Sequence, residues 1–298
     1  MQKCVKAIGK LFVVGVPIGN LEDITLRALR VLSSVDVIAA EDTRRARFLL
    51  EQHRIAKKPL LSFFVGNETS REQELLAKLH AGQKLALITD AGMPGVSDPG
   101  QGLVAQAVAQ GLPVEVIPGP SAFLHALIAS GLPMARFLFV GFPPKDEGPR
   151  LSLFGSLRGE VGTLVFYETK ERLVRTLADL ALALGEHRQA VVARELTKQF
   201  EQHLRGTLAE LSAQVKAQPL RGEITLVVAG HDGKDGQPGV ATIDIEAEIR
   251  RRLQKGDSAK DIASAMTLLT GQSRRKLYQL TVSLGQNACR DASWPETT

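Results

Sequence analysis

The chain has 298 residues, 44% of them apolar and 23% charged. This excludes disordered, collagenous and coiled-coil classes and gives enough apolar surface for about two domains without disulfide or metal staples. The formal charge of +5 is mild and spread along the chain, so bulk electrostatics permit a nucleic-acid partner without demanding one. No apolar run approaches the ~18 residues of a membrane span, and Met1–Lys6 lacks the apolar core of an export leader. Cys4 and Cys289 sit at opposite ends, unlike a disulfide framework or a zinc motif. A cytoplasmic protein with no membrane partner is expected.

From residue 11 short β-branched runs alternate with loops and helix-period segments, the pattern of a parallel α/β sheet. Strands are predicted at Leu11–Val16, Val37–Ala40, Leu60–Phe64, Leu85–Thr89 and Val114–Ile117. Helices are predicted at Thr25–Leu32, Thr43–His53, Ser70–Leu79 and Gly102–Gln110, with Thr43 and Ser70 as N-caps. A second series follows Pro118: helix Phe123–Ala129, strand Phe137–Val140, helix Leu151–Leu157, strand Thr163–Tyr167, helix Arg172–Leu184, strand Ala190–Ala193, helix Leu208–Lys216 and strand Glu223–Val228. Gln199–Thr207 adds a short antiparallel hairpin. His231–Gly239, rich in glycine and charge, reads as an exposed linker. Beyond it, residues 243–283 read as three short helices with Thr242, Ser258 and Ser273 as caps and Gly271 at a turn, and Asn287–Thr298 as a frayed end. The predicted organisation is an N-terminal lobe over 10–118, a C-terminal lobe over 119–230, a linker over 231–241 and a helix-turn-helix-like module over 242–285.

Three turns concentrate glycine and proline at the carboxyl ends of predicted parallel strands, where open α/β sheets bind ligands. Gly15-Val16-Pro17-Ile18-Gly19 departs from G-x-G-x-x-G, and Pro17 removes a backbone donor that a pyrophosphate would use. Dinucleotide binding is disfavoured there, and a tight structural turn is the plain alternative. The stretch from Thr89 to Gly100 holds Gly92, Gly95 and Gly100, a density kept where backbone approaches a ligand closely. Its aspartates suit ribose hydroxyls or an ammonium, or turn capping, the role favoured for Asp98 before Pro99. Ser121, after Pro118-Gly119-Pro120, caps the next helix or reaches a ligand. The histidines show no ligand spacing, so no metal is expected.

Pro17–Thr25, Asp90–Gly100 and Pro118–Ala122 resemble the three signature loops of the tetrapyrrole methylase family, the class III S-adenosylmethionine-dependent methyltransferases. Ala39-Ala40-Glu41-Asp42-Thr43-Arg44, Ser97-Asp98-Pro99-Gly100, Phe166-Tyr167-Glu168 and Ala193-Arg194-Glu195-Leu196-Thr197-Lys198 are similar to a bacterial branch that methylates the 2′-hydroxyl of a cytidine in the decoding region of 16S ribosomal RNA. The likeness covers nearly the whole chain. It implies a two-lobed tetrapyrrole-methylase-like α/β fold with a small all-helical C-terminal module, S-adenosylmethionine as methyl donor, the 30S subunit as partner and a homodimer. It also implies a donor site between the lobes, formed by Pro17, Asp90, Ala91, Gly92, Val96, Ser121, Ala122, Tyr167, Leu196, Glu223, Ile224 and Thr225. Two places depart from the family pattern: Met93 replaces a threonine, and Lys170-Glu171 replaces proline-histidine.

Methyl transfer from a sulfonium depends on in-line alignment and needs no metal, whereas a protonated ribose hydroxyl gains roughly 10²–10⁴-fold from a positioned base. Asp42, Glu195 and Lys198 are the candidate catalytic or substrate-orienting residues. Arg44, Arg45 and Arg47, continued by Arg54, Lys57 and Lys58, suit RNA phosphates or form a solvated helix face. Arg274, Arg275 and Lys276 open the second helix of the helix-turn-helix-like tail, as a further RNA contact or part of a packing module. Phe63 and Phe64, inside a predicted strand, read as core rather than base-stacking residues. The alternatives are a small-molecule tetrapyrrole methylase and a non-enzymatic nucleic-acid-binding regulator. The basic clusters weigh against the first, and three crowded glycine-proline loops against the second.

Overall fold

The structure, a computed structural model, describes residues 8–232 and 244–291, with side chains to residue 286. Contacts divide the chain into one unit of Met1–His125 with Glu195–Glu201, and a second of Ala126–Arg194 with Gln202–Thr298.

The first unit contains β1 (Lys10–Val14), α1 (Leu26–Ser34), β2 (Val37–Ala40), α2 (Thr43–Gln52), β3 (Leu60–Ser62), α3 (Glu68–His80), β4 (Lys84–Ile88), α4 (Gln101–Ala109), β5 (Val114–Ile117) and the start of α5 (Ala122–Ser130). All five strands are parallel, in the order β3-β2-β4-β1-β5. Alternation along each strand produces two cores. Phe12, Val14, Ile38, Ala40, Ala86 and Ile88 pack with Ala28 and Leu32 of α1 and Leu49 and Leu50 of α2. Their neighbours Leu11, Val13, Val37, Ala39, Leu85 and Leu87 pack with Leu75 and Leu79 of α3 and Leu103 and Ala107 of α4.

Two predicted caps move. Thr43 is the first helical residue of α2, and Asp42 precedes it as the N-cap, its side chain accepting from the Arg44 N–H. Asn67, not Ser70, precedes α3, so that helix starts earlier than predicted. β3 is shorter than predicted because the Phe64 N–H donates to Asn67 Oδ1 at 2.8 Å instead of continuing the ladder. Phe63 is buried, but Phe64 is exposed, against the core reading.

The second unit contains β6 (Phe137–Gly141), α6 (Glu147–Ser156), β7 (Thr163–Glu168), α7 (Leu173–Leu184), β8 (Gln189–Arg194), β9 (Gln202–Thr207), α8 (Leu208–Ala217), β10 (Ile224–Val228), α9 (Ile245–Gln254), α10 (Ala259–Thr270) and α11 (Arg274–Asp291). Its sheet, in the order β6-β7-β10-β8-β9, is mixed: β6 and β7 are parallel, and the remaining pairs are antiparallel. The hairpin expected over 199–207 is the β8–β9 pair, with β9 beginning at Gln202.

The terminal helices share the core of this unit. Ile249, Ile262, Met266, Leu269, Leu277 and Leu284 join one cluster with Leu151, Phe154, Phe166 and Leu226. The apolar stripe Ile262, Met266 and Leu269 needs a partner surface. Gly155 of α6 admits it, since a Cβ there would lie 3.0 Å from the Leu268 carbonyl oxygen. The separate module predicted over 242–285 is thus built into the second unit, and α11 runs to Asp291 where a frayed end was expected. Most of the predicted linker and the Thr242 cap lie outside the described residues; Asp244 caps α9, Ser258 caps α10, and Gly271 ends α10 in the left-handed conformation.

Buried charges brace this packing. Arg150 of α6, 1% exposed, holds Asp179 of α7 through Nε at 2.8 Å and Nη2 at 2.7 Å. Burial pushes the Asp179 carboxyl up, against the pull of Arg150. Buried Arg252 of α9 pairs with Glu248 at 2.8 Å and with Glu147 of α6 at 2.9 Å. Arg150→Met should lower stability by about 3–5 kcal/mol, because it strands the Asp179 charge. In urea unfolding, the double change Arg150→Met with Asp179→Leu should recover most of that loss.

Candidate active site

At the carboxyl rim of the first unit's sheet, β1 lies beside β4. The helices that follow these two strands pack on opposite faces, α1 in one core and α4 in the other. Neighbouring strands with diverging crossovers open a crevice above their ends. Its floor is tied by two backbone hydrogen bonds: the Val16 N–H donates to the Gly92 carbonyl at 2.9 Å, and the Gly92 N–H donates to the Val16 carbonyl at 3.1 Å. Gly92 therefore offers a ligand no free N–H. It offers the absence of a side chain, at φ +79°, where a Cβ would press on Ile18. Gly15 faces Gly119 so closely that a Cβ on Gly15 would lie 2.6 Å from the Gly119 Cα. Met93 lays its sulfur over Gly15, 2.5 Å from that Cβ position, filling space where the family pattern has a hydroxyl.

β2 and β4 pair with Ala40 opposite Ile88, so Glu41, Asp42, Thr89 and Asp90 emerge side by side. Glu41 Oε2 accepts from the Thr89 hydroxyl at 2.9 Å and from the Asp90 N–H at 3.3 Å. The Asp42 N–H donates to Asp90 Oδ1 at 3.1 Å, and Arg45 Nη1 lies 3.4 Å from Asp90 Oδ2. The Asp42 carboxylate accepts from the Arg44 N–H at 2.8 Å, Nε at 3.1 Å and Nη2 at 2.7 Å, which holds it well below the usual carboxylate range. Such an anion anchors α2 and Arg44 and is a poor proton acceptor. Burial first, and then the charge of Glu41, raises Asp90. The same two causes push Asp98 up to about 6, so Asp98 feels the charge of this carboxylate group. α3 braces the loop from behind: Glu68 Oε1 accepts from the Gly100 N–H at 2.8 Å, and buried Glu72 accepts from Gln106 Nε2.

The Glu195–Glu201 segment packs on the same unit. Among the described residues four non-glycines have positive φ, and three of them, Ser97, Glu195 and Thr197, lie on these loops; such strained backbone clusters at functional sites. Lys198 Nζ donates to Glu195 Oε1 at 3.1 Å while its stem lies across Gly19, where a Cβ would meet Lys198 Cγ at 2.6 Å. The Thr197 N–H donates to Glu201 Oε2 at 2.6 Å, and His125 Nε2 lies 3.6 Å from Glu201 Oε1. A cavity of about 370 Å³, lined by Asp23, Thr25, Pro118–Ser121, His125 and Thr197, opens here, within the range of small-ligand sites.

Of the residues predicted for the donor, Ser121 lines this cavity. Pro17, Asp90, Ala91, Gly92 and Val96 lie on the bridged loops, Ala122 opens α5, and Leu196 is buried beside Thr197. In the second unit Thr225 pairs with Tyr167 and Ile224 with Glu168; Ile224 and Thr225 are buried, and Glu223 is exposed. The buried Glu168 carboxylate accepts from the Thr169 N–H at 2.8 Å and the Thr176 hydroxyl at 2.5 Å, with Arg172 Nε at 3.4 Å. The departing Lys170-Glu171 pair is an exposed ion pair at 3.6 Å, so it leaves this anchor intact. Among the predicted RNA contacts, Arg47, Arg274, Arg275 and Lys276 are exposed, whereas Arg44 and Arg45 also serve Asp42 and Asp90. Sequence reading missed His125, whose backbone N–H donates to the Ser121 carbonyl one helical turn earlier, because histidines were weighed only as metal ligands. The described residues hold no group of three metal-ligating side chains and no helix long and apolar enough to cross a membrane.

Residues 10–212 match the family model of Tetrapyrrole (Corrin/Porphyrin) Methylases. Among solved structures the chain is similar to diphthine synthase, with a TM-score of 0.55 at 16% identity over 75% of this chain and 91% of that one. It is also similar to uroporphyrin-III C-methyltransferase from Thermus thermophilus complexed with S-adenosylhomocysteine, with a TM-score of 0.53 at 23% identity over 74% and 97%. At these identities the likeness speaks for the fold alone. Closer in sequence are proteins named ribosomal RNA small subunit methyltransferase I. The one from Synechocystis sp. is 44% identical over 93% of this chain and 99% of its own length, and the one from Escherichia coli O157:H7 is 44% identical over 91% and 94%. The chain belongs to the tetrapyrrole methylase family, in the branch formed by these ribosomal RNA small subunit methyltransferase I proteins.

The Asp98 shift sets a pH signature. The folded carboxyl titrates near 6 and the ordinary aspartate at 3.8, so between these values the folded state binds more protons than the unfolded one, and stability falls as pH rises through the window. Asp98→Asn should melt higher than wild type above pH 6, and the gap should close below pH 4 in paired thermal melts.

Proposed function

We propose that this enzyme transfers the methyl group of S-adenosylmethionine to the ribose 2′-hydroxyl of a cytidine in the decoding region of 16S ribosomal RNA, within the 30S subunit and in the cytoplasm. The observation that carries the reading is the rim where Gly15, Gly92 and Gly119 leave no side chain beside the carboxylates of Glu41, Asp90 and Asp98. Close backbone approach suits a flat adenosyl group, and fixed negative charge suits a ligand bearing sulfonium and ammonium. When bound, the donor supplies an electrophilic methyl group. Asp90 and Asp98 take the donor's hydroxyls or ammonium, while Pro17, Ala91, Val96, Ser121, Ala122 and Leu196 shape its bed.

Glu195 and Lys198, locked together over Gly19, orient the substrate ribose. Asp42 acts by fixing Arg44 rather than by taking a proton. Arg44, Arg45 and Arg47, with Arg274, Arg275 and Lys276 at the start of α11, meet RNA phosphates. Leu124 and Ile128 are exposed one turn apart on α5, and Met134, Phe137 and Leu138 are exposed leading into edge strand β6. This apolar surface supports a homodimer.

With labelled donor, the protein should methylate 30S subunits and leave a porphyrinoid unlabelled, and ribose-methylation mapping of 16S ribosomal RNA should lose one site in cells without the gene. Labelling of the porphyrinoid alone would assign the site to small-molecule chemistry instead. Gly15→Ala should weaken donor binding at least about tenfold in calorimetry, since its Cβ would meet not only the movable Met93 sulfur at 2.5 Å but also the Gly119 backbone at 2.6 Å, which cannot swing aside.

A further inference from the structure

The loop that leaves β6 is gripped from behind. Arg172 Nη2 donates to the carbonyls of Pro143 at 2.5 Å and Pro144 at 3.1 Å, and Arg150 Nη1 donates to those of Lys145 at 2.6 Å and Pro144 at 3.3 Å. Each guanidinium is itself anchored on a carboxylate, Arg172 on Glu168 and Arg150 on Asp179. The two prolines fix their own φ. Three successive carbonyls are thus satisfied, and the loop is rigid where it presents side chains. It presents an aromatic ring and a cation: Phe142, 53% exposed, and exposed Lys145. Tyr167 backs the Phe142 ring at 5.5 Å and is held in turn by an edge-on contact with Phe139 at 5.0 Å.

A lone exposed phenylalanine needs no explanation. A phenylalanine on a loop braced by two carboxylate-anchored arginines, Arg150 buried and Arg172 half-buried, does, because a fixed ring stacks a ligand without further ordering. We propose that the Gly141–Lys145 loop is a nucleobase-stacking site for single-stranded RNA, in which the Phe142 ring takes one unpaired base of the substrate and Lys145 meets a neighbouring phosphate. The charge beside the ring selects this ligand: a lysine ammonium attracts phosphate and repels the sulfonium and ammonium of the methyl donor. Stacking on aromatic side chains together with a backbone-tracking cation is the general mode of single-strand binding. The inference rests on the RNA substrate proposed above.

The test uses the full chain, 30S subunits from cells lacking the gene, and labelled donor. Phe142→Ala should raise KM for the subunits about 10–100-fold, leave kcat and the calorimetric Kd for the donor within about twofold, and melt like wild type. Phe142→Trp should restore KM, and Lys145→Ala should flatten the salt dependence of binding by about one phosphate contact. An unchanged KM in Phe142→Ala would overturn the stacking site while leaving the methyltransferase reading intact. So would a parallel loss of donor affinity, which would give the ring to the donor, or a change of oligomeric state, which would give it to a subunit interface. Failure of wild-type protein to label any ribosomal particle would overturn the reading of function itself.

Discussion

Two backbone hydrogen bonds between Val16 and Gly92 hold together loops whose helices leave for opposite faces of one sheet. Without them the chain would have two independent flexible turns at the rim; with them it has one surface. The Gly15–Gly119 contact extends that surface to the third loop. The glycines are required less for mobility than for proximity, because a Cβ on Gly15 or Gly119 would lie 2.6–2.7 Å from the other's Cα and force the two loops apart. Met93 fits the same logic, its sulfur occupying the room a Cβ would have taken.

Negative charge at the rim is organised by proximity as well. Register alone brings Glu41 and Asp42 beside Thr89 and Asp90, and the unit divides the labour among them. Asp42 is neutralised by Arg44 and serves helix α2, whereas Asp90 and Asp98 are left in surroundings that disfavour their charged forms. Carboxyl groups with such separated behaviour are what acid-base and cation-binding sites share. The positive-φ backbone at Ser97, Glu195 and Thr197 is carried by the same loops, stabilised by the sheet beneath.

Much of this was legible in the chain itself. Short β-branched runs separated by helix-period segments located the strands, and glycine-proline density after them located the rim. What the local pattern could not show was long-range pairing. Nothing near Gly92 announces that both its polar groups are spent on Val16, and nothing near Asp98 announces Glu41. His125 was invisible because its significance lies in a carboxylate 76 positions later, Glu201. The terminal helices were misread as a module of their own because the glycine-rich segment preceding them looks like a boundary; their apolar stripes match α6, which only the three-dimensional arrangement reveals. The cap positions of α2 and α3 shifted for a simpler reason, since several polar residues competed for each and geometry chose Asp42 and Asn67.

Helix α6 serves two neighbourhoods at once. One end gives Arg150 to the carbonyls of the Pro144 and Lys145 turn, and its flank carries the terminal helices through Gly155 and the Glu147–Arg252 pair. The tail is mechanically in series with the loop that aims the Phe142 ring. A substitution that loosens the tail on α6 would therefore reach the Arg150 brace of the Pro144 turn while leaving the glycine-lined rim of the other sheet untouched.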